Sequence, residues 1–393
     1  MLGENMRIGI LTEYYESSNY GGNLQAYALT RYINDHYGKT EQIQYKRNIP
    51  PQNGGKQLLN KSFQEILIKI FVKSRDLIIG RITKNKIQAR IKLRDESIKN
   101  FNLSIPHSKV VYSDDTINRS IEDYDCFVVG SDQVWRTFYN RAYFLGFVPE
   151  NKLKISYAAS ISRNTLTDNE QAILRETLPG FTGISVREKE AVELVKNATG
   201  ISSEWVLDPV FLLGENHWNE ICDDRQVSEP YVFCYFLGDS TEHRHLVKKF
   251  ARLKHCKIVT LPYMLGQYRY CDLGFGDDQR YSCSPNEFLS LIRYAEYIIT
   301  DSFHAVVFSH IFKKQFFVFE RNAGHSMSSR LRSILEIIEA EDRFCKNNKK
   351  DLSIDHLVGM DEITYDKELP LLAAMKEKSI KFLEKYLMNP AEG

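Results

Sequence analysis

Short apolar runs alternate with longer amphipathic stretches along most of this chain, the pattern produced when parallel strands are joined by crossover helices. The spacing predicts strands over Arg7–Leu11, Gln42–Tyr45, Cys126–Val129, Ile155–Ala158, Ile184–Val186 and Trp205–Leu207, with helices over Leu24–His36, Asn169–Leu178 and Lys189–Asn197. After a polar stretch from Gly214 to Pro230 the pattern restarts, with strands over Tyr231–Phe236, Ile258–Leu261, Tyr297–Thr300 and Phe316–Phe319. Helices are expected there over His243–Leu253, Asn286–Tyr294, Ala305–Phe312 and near Leu331–Glu339. The clearest helix start is Ser284-Pro285-Asn286-Glu287: Ser284 caps, Pro285 takes the first helical position, and Glu287 is placed to complete a capping box. At 393 residues the chain is longer than one core usually organises. The reading is therefore α/β, with two Rossmann-like domains over residues 1–214 and 215–365 and a final helix, Glu368–Tyr386 within 366–393, packing back on the first. A basic helical insertion is expected over 56–100, where Lys and Arg far outnumber Asp and Glu.

The rest of the charge is balanced, at +1 overall, which together with the lack of a recognition motif speaks against nucleic-acid binding. Seven scattered cysteines, with no C-x-x-C and no Cys/His cluster, predict reduced thiols and no metal site. The first residues lack the basic start and long apolar core of a signal peptide, and no apolar run reaches the roughly 18 residues of a membrane span. A cytoplasmic protein, or one at the inner face of a membrane, is expected.

In open α/β sheets ligands bind beyond the carboxyl ends of the strands, so the strand-to-helix turns are the places to look for chemistry. In the first, Asn19-Tyr20-Gly21-Gly22-Asn23, adjacent glycines let backbone N–H groups approach phosphate, carboxylate or sugar oxygens at a helix start; a tight turn packed under the helix explains them equally well. Gly130-Ser131-Asp132-Gln133-Val134-Trp135-Arg136 gathers groups suited to sugar hydroxyls, although Ser131 and Asp132 also suit a helix cap and Trp135 the core. The small residues of Tyr157-Ala158-Ala159-Ser160 permit close backbone approach. Arg187, at the end of Ile184–Val186, suits a planar carboxylate or phosphate, or a surface ion pair with Glu188 or Glu190.

Thr300-Asp301-Ser302-Phe303-His304-Ala305 follows a buried strand and sets an imidazole beside the free N–H groups of a helix start, a good place for a general acid or base. The polar loop Glu320 to Arg330 ends in Ser328-Ser329-Arg330, which reads either as a second anion site or as a flexible loop with a capping serine.

Taken in order, these segments resemble the polysaccharide pyruvyl transferase family from Ile8 to about Arg343. The resemblance rests on the first turn through Ala26, on Val129-Gly130-Ser131-Asp132-Gln133-Val134-Trp135 and Ser156-Tyr157-Ala158-Ala159-Ser160, and on Ser185-Val186-Arg187-Glu188. It continues through Leu207-Asp208-Pro209-Val210-Phe211-Leu212-Leu213 and Thr300-Asp301-Ser302-Phe303-His304-Ala305. It implies a glycosyltransferase-B-like arrangement of two domains facing a cleft, and transfer of a pyruvyl group from phosphoenolpyruvate, as co-substrate and with no cofactor, to sugar hydroxyls as a cyclic ketal on a polysaccharide or its precursor. On that implication His304 and Asp132 are the catalytic pair. Arg187, Ser302, Ser329 and Arg330 hold the donor, and Gly21, Gly22, Asn23, Ser131 and Gln133 face the acceptor. Two positions depart from the family pattern: Ser302 stands where some branches carry arginine, and Ser162 where glycine is commoner.

A nucleotide-sugar glycosyltransferase of the same architecture and a non-catalytic glycan-binding relative are the competing readings. Phe63, Ile66, Leu67, Ile70 and Phe71 recur at helical spacing within the basic stretch. That spacing suits a helix packed on its own domain, or one lying on an anionic membrane near a lipid-linked sugar, held by Lys69, Lys73 and Arg75.

Overall fold

The computed structural model describes residues 6–47, 74, 88–138, 140–263, 269–321 and 328–388. Among them the strands form two six-stranded sheets in which every pairing is parallel. The first runs in the order β2-β1-β3-β4-β5-β6, from β1 (Arg7–Leu11), β2 (Lys39–Gln42), β3 (Cys126–Val129), β4 (Leu153–Ala159), β5 (Gly183–Val186) and β6 (Glu204–Trp205). The second runs β12-β11-β10-β7-β8-β9, from β7 (Tyr231–Tyr235), β8 (Lys257–Thr260), β9 (Asp278–Gln279), β10 (Tyr297–Thr300), β11 (Gln315–Phe319) and β12 (Phe344–Cys345). The central strands are apolar on both faces because helices cover both, which is why their positions are readable in the sequence.

The helices used below are α1 (Tyr20–His36), α2 (residues 88–102), α3 (Asp168–Thr177), α4 (Lys189–Thr199), α5 (Glu215–Ile221), α6 (Thr241–Leu253), α7 (Pro285–Arg293), α8 (Phe303–Ile311), α9 (Ser328–Ile337), α10 (Ile354–Gly359) and α11 (Pro370–Leu387). Two expectations need correction. The second strand lies earlier than Gln42–Tyr45, because its inward positions are the polar Thr40 and Gln42; Gln42 is buried and donates to Thr30 Oγ1 at 2.9 Å. Ser284 does cap α7, accepting from Glu287 N at 3.0 Å, but the Glu287 carboxylate turns to Arg280 at 3.1 Å instead of closing the box. The basic stretch ends in α2, whose Ile98 and Phe101 join the core and whose Arg94 is buried. Phe63, Ile66, Leu67, Ile70, Phe71, Lys69, Lys73 and Arg75 lie outside the described residues.

α11 lays Phe382, Leu383, Tyr386 and Leu387 against Ile8, Ile10, Val128 and Ile155 of the first sheet. The two sheets face each other through α1 on one side and α7 and α8 on the other. Tyr20 stacks on Phe288 with ring centroids 4.9 Å apart and donates from its hydroxyl to Cys283 O at 2.8 Å, so the first turn of α1 is inserted into the second unit. All seven cysteines are free. No helix among the described residues is long and apolar enough to cross a membrane.

Candidate active site

The facing turns enclose a buried cluster of charge. Arg187, at the end of β5, donates to Asp208 Oδ2 at 2.7 Å and has Glu188 and Asp132 carboxylate oxygens at 3.5 and 3.6 Å. Its guanidinium also lies 4.4 Å from the centroid of the Phe303 ring, which comes from the opposite sheet. Asp208 accepts in addition from Ser131 Oγ at 3.0 Å and, through Oδ1, from Val210 N at 3.2 Å; His304 Nε2 stands 3.5 Å from its Oδ2. Burial alone would raise the Asp208 carboxyl, but the His304 imidazole and Arg187 outweigh it and hold the group well below the usual carboxylate range. The same carboxylates raise Arg187 against its own burial.

His304 enters from the first turn of α8, and its place is set by a glycine. A Cβ on Gly21 would sit 1.9 Å from His304 Nδ1, so only a residue without a side chain at the start of α1 lets the ring lie there. Next to it, Gly22 has Asp132 Oδ2 at 3.4 Å and Glu13 O at 3.2 Å from the same virtual position. Asp132 adopts φ 65°, a left-handed conformation fixed by Ser160 N donating to its carbonyl at 3.0 Å. Ala158 and Ser162, at φ 52° and 55°, share that conformation. Ser162 occupies a backbone geometry that suits glycine, the residue commoner there in the resembling family.

On the second sheet's side, Arg330 is buried in the first turn of α9. Burial first and the Arg187 charge second push its guanidinium down to about 10, so two arginines from different units converge on one enclosed space. Arg321 joins them from the loop after β11; it donates to Asp301 O at 2.9 Å and lies 3.7 Å from Asp301 Oδ1. Asp301 is fully occupied, accepting from Leu237 N and Gly238 N at 2.7 Å each, so it ties β10 to the turn after β7.

The structure thus gathers His304, Asp132, Arg187, Arg330, Ser131, Gly21 and Gly22. Ser302 caps α8 without a side-chain hydrogen bond and is buried beside them, and Ser329 is buried next to Arg330. Two expected acceptor residues do not join. Asn23 is buried, donating to Ser17 O and Asn19 O and accepting from Asn102 Nδ2 at 2.7 Å, so its side chain holds the turn together. Gln133 sits at the rim, accepting from Arg136 Nη1 at 2.9 Å. Trp135 is core, stacked on Phe144.

Two groups were not among the expected site residues. Asp208 lies within a motif that reads as a turn before proline, and its charge becomes central only once β5, β6 and α8 are assembled. Glu13, beyond β1, pairs with Arg47 at 2.8 Å; burial, relieved in part by Arg47 and reinforced by the Asp132 charge, raises its carboxyl to about 7. Nothing local marks it.

Two all-parallel α/β units that bury an imidazole, carboxylates and arginines between their facing strand ends define a two-domain protein of glycosyltransferase-B type. Solved structures share this fold. UDP-GlcNAc 2-epimerase from Neisseria meningitidis aligns over 96% of this chain and 99% of its own at 10% identity with a TM-score of 0.53. UDP-N-acetylglucosamine 2-epimerase from Rickettsia bellii aligns over 98% and 97% at 9% identity with a TM-score of 0.55. No curated protein matches the sequence significantly. The polysaccharide pyruvyl transferase family model matches residues 19–322, and the chain belongs to that family, whose members are transferases acting on polysaccharide.

Proposed function

We propose that the chain transfers a pyruvyl group from phosphoenolpyruvate to two hydroxyls of a sugar, forming a pyruvate ketal on a polysaccharide or its precursor. The convergence of Arg187 and Arg330 on one narrow space, with His304 reaching the Asp208 carboxylate that Arg187 also binds, is the observation that supports this reading: the donor carries a carboxylate and a phosphate, the groups that guanidiniums bind. In the reaction one sugar hydroxyl adds to C2 of the enol phosphate while C3 takes a proton and becomes a methyl group. The second hydroxyl then adds to C2 as phosphate leaves with the bridging oxygen, and the two hydroxyl protons balance the proton gained by C3 and that taken up by phosphate.

His304 serves as the acid toward C3 and the base toward a hydroxyl. Asp132, Ser131 and Gly22 line the acceptor side. Ser302 contributes the N–H groups of the α8 start, and Arg321 and Arg330 supply the positive charge that a residue-302 arginine brings elsewhere in the family.

The test incubates the full chain with phosphoenolpyruvate and a panel of lipid-linked and nitrophenyl sugars, following phosphate release and product mass. A pyruvyl adduct with equimolar phosphate is expected. Stabilisation by nucleotide sugars with no response to phosphoenolpyruvate would replace the proposal with glycosyl transfer, and sugar binding without donor binding would leave a glycan-binding relative.

The Gly21 contact gives a second check. Gly21→Ala adds one methyl at a helix start, where alanine by itself stabilises. Turnover is expected to fall about tenfold or more with the thermal midpoint nearly unchanged, because the ring must move off its place. Unchanged turnover would show that the ring position is immaterial.

A further inference from the structure

The loop after β1 and helix α2 enclose a cavity of about 350 Å³, large enough for a sugar residue and lined by Tyr14, Tyr15, Asp95, Lys99, Asn102 and His107. Tyr14 is buried at 2% exposure, yet its hydroxyl has no hydrogen-bond partner among the described residues. Buried hydroxyls without partners are uncommon and call for a ligand or solvent atom. Burial also raises the Tyr14 phenol, so it stays protonated and both donates and accepts. The Asn102 carbonyl oxygen is likewise buried without a partner, while its amide is spent on Asn23. His107 donates from Nδ1 to Ile105 O at 2.7 Å, so Nε2 is the ring nitrogen left for a ligand. Asp95, held by Ser18 Oγ at 2.6 Å, adds a carboxylate, and Lys99 an ammonium.

Aromatic surface combined with donors and acceptors suits a neutral polyol, and an anion would meet the carboxylates of Asp95 and Glu16, which outnumber the one ammonium of Lys99. The cavity also adjoins the buried cluster. Asn102 is bonded to Asn23, which follows Gly21-Gly22, and Tyr14 follows Glu13, whose carbonyl lies beside Gly22. We infer that this cavity is a carbohydrate-binding site, taking a neutral hexose or N-acetylhexosamine residue of the acceptor through the Tyr14 hydroxyl, Asn102, His107 and Lys99. Its role as an acceptor site rests on the transfer reading; its binding of sugar does not.

The experiment measures binding of methyl glycosides of glucose, galactose, mannose, N-acetylglucosamine and N-acetylmannosamine to the full chain by saturation-transfer NMR, with no donor present. Tyr14→Phe removes one oxygen and keeps the ring, and Lys99→Ala changes an exposed residue, so both are expected to fold with unchanged thermal midpoints. At least one glycoside should bind, with affinity reduced roughly fivefold or more in each variant. Absence of binding across the panel at about 10 mM, or equal binding by wild type and both variants, would overturn the site. Failure of the transfer reading looks different: glycosides bind and respond to Tyr14→Phe, but no ketal forms with phosphoenolpyruvate. Conversely, ketal formation whose KM for sugar ignores both variants would keep transfer and discard this cavity.

Discussion

Replacing His304 with alanine should lower pyruvyl transfer by roughly 10²- to 10⁴-fold while leaving phosphoenolpyruvate bound, because a positioned acid–base group accounts for about that much of a rate. In the proposed reaction the donor is held by Arg187, Arg330 and the α8 start, and these survive the change, so the loss belongs in kcat rather than KM. The ring lies over Gly21, and its removal leaves a ring-sized space between α1 and α8. Added imidazole should therefore restore part of the activity to His304→Ala, and with a pH dependence belonging to the added base. A purely structural role gives a different pattern, in which His304→Gln, close in volume, recovers activity and imidazole does nothing. Wild-type turnover in His304→Ala would remove the residue from the mechanism.

How much of this was legible in the sequence depends on the range of each interaction. β1, β3 and β10 begin and end where the apolar runs do, since strands buried on both faces leave an unbroken hydrophobic signature. β2 lies earlier than the apolar pattern places it, because Thr40 and Gln42 are its buried positions and Gln42 is satisfied by Thr30 of α1, which no periodicity reports. The site followed the same division. His304 and Arg187 stand at strand ends and could be found one turn at a time. Asp208 could not, for locally it only caps Val210; its partners Arg187 and His304 arrive from 21 and 96 residues away, as the numbering shows. Gly21 makes room for the His304 ring, which neither local explanation of the turn includes, and Asn23, two residues on, is a brace. The polar residues of a turn are named by the sequence, but which of them face the opposite sheet is decided by packing.

Asp208 is also where the second large effect is expected, this time on stability. Its carboxylate is the direct partner of Arg187, and both side chains are at most 3% exposed. Asp208→Ala leaves a buried guanidinium facing Glu188 and Asp132 only at 3.5 Å or more, removes the acceptor of Ser131 and uncaps Val210. Breaking a buried pair from one side typically costs about 3–5 kcal/mol, which would appear as a lower midpoint in urea with an unchanged slope. Removing both charges separates the pair from the burial: Arg187→Met combined with Asp208→Ala should recover a large part of the loss, while activity stays absent because the donor has lost an arginine. The acid limb gives an independent reading. The folded carboxyl titrates below the unfolded one, so the unfolded chain takes up the proton first; the stabilisation is complete above about pH 4 and is lost progressively as pH falls toward the folded value. Wild type should therefore lose stability through that window faster than Asp208→Asn, which has no proton to gain there. A loss below about 1 kcal/mol in Asp208→Ala, or acid limbs of equal slope, would mean that Arg187 is held by Glu188 and Asp132 instead, and that Asp208 is only the cap it resembles in the sequence.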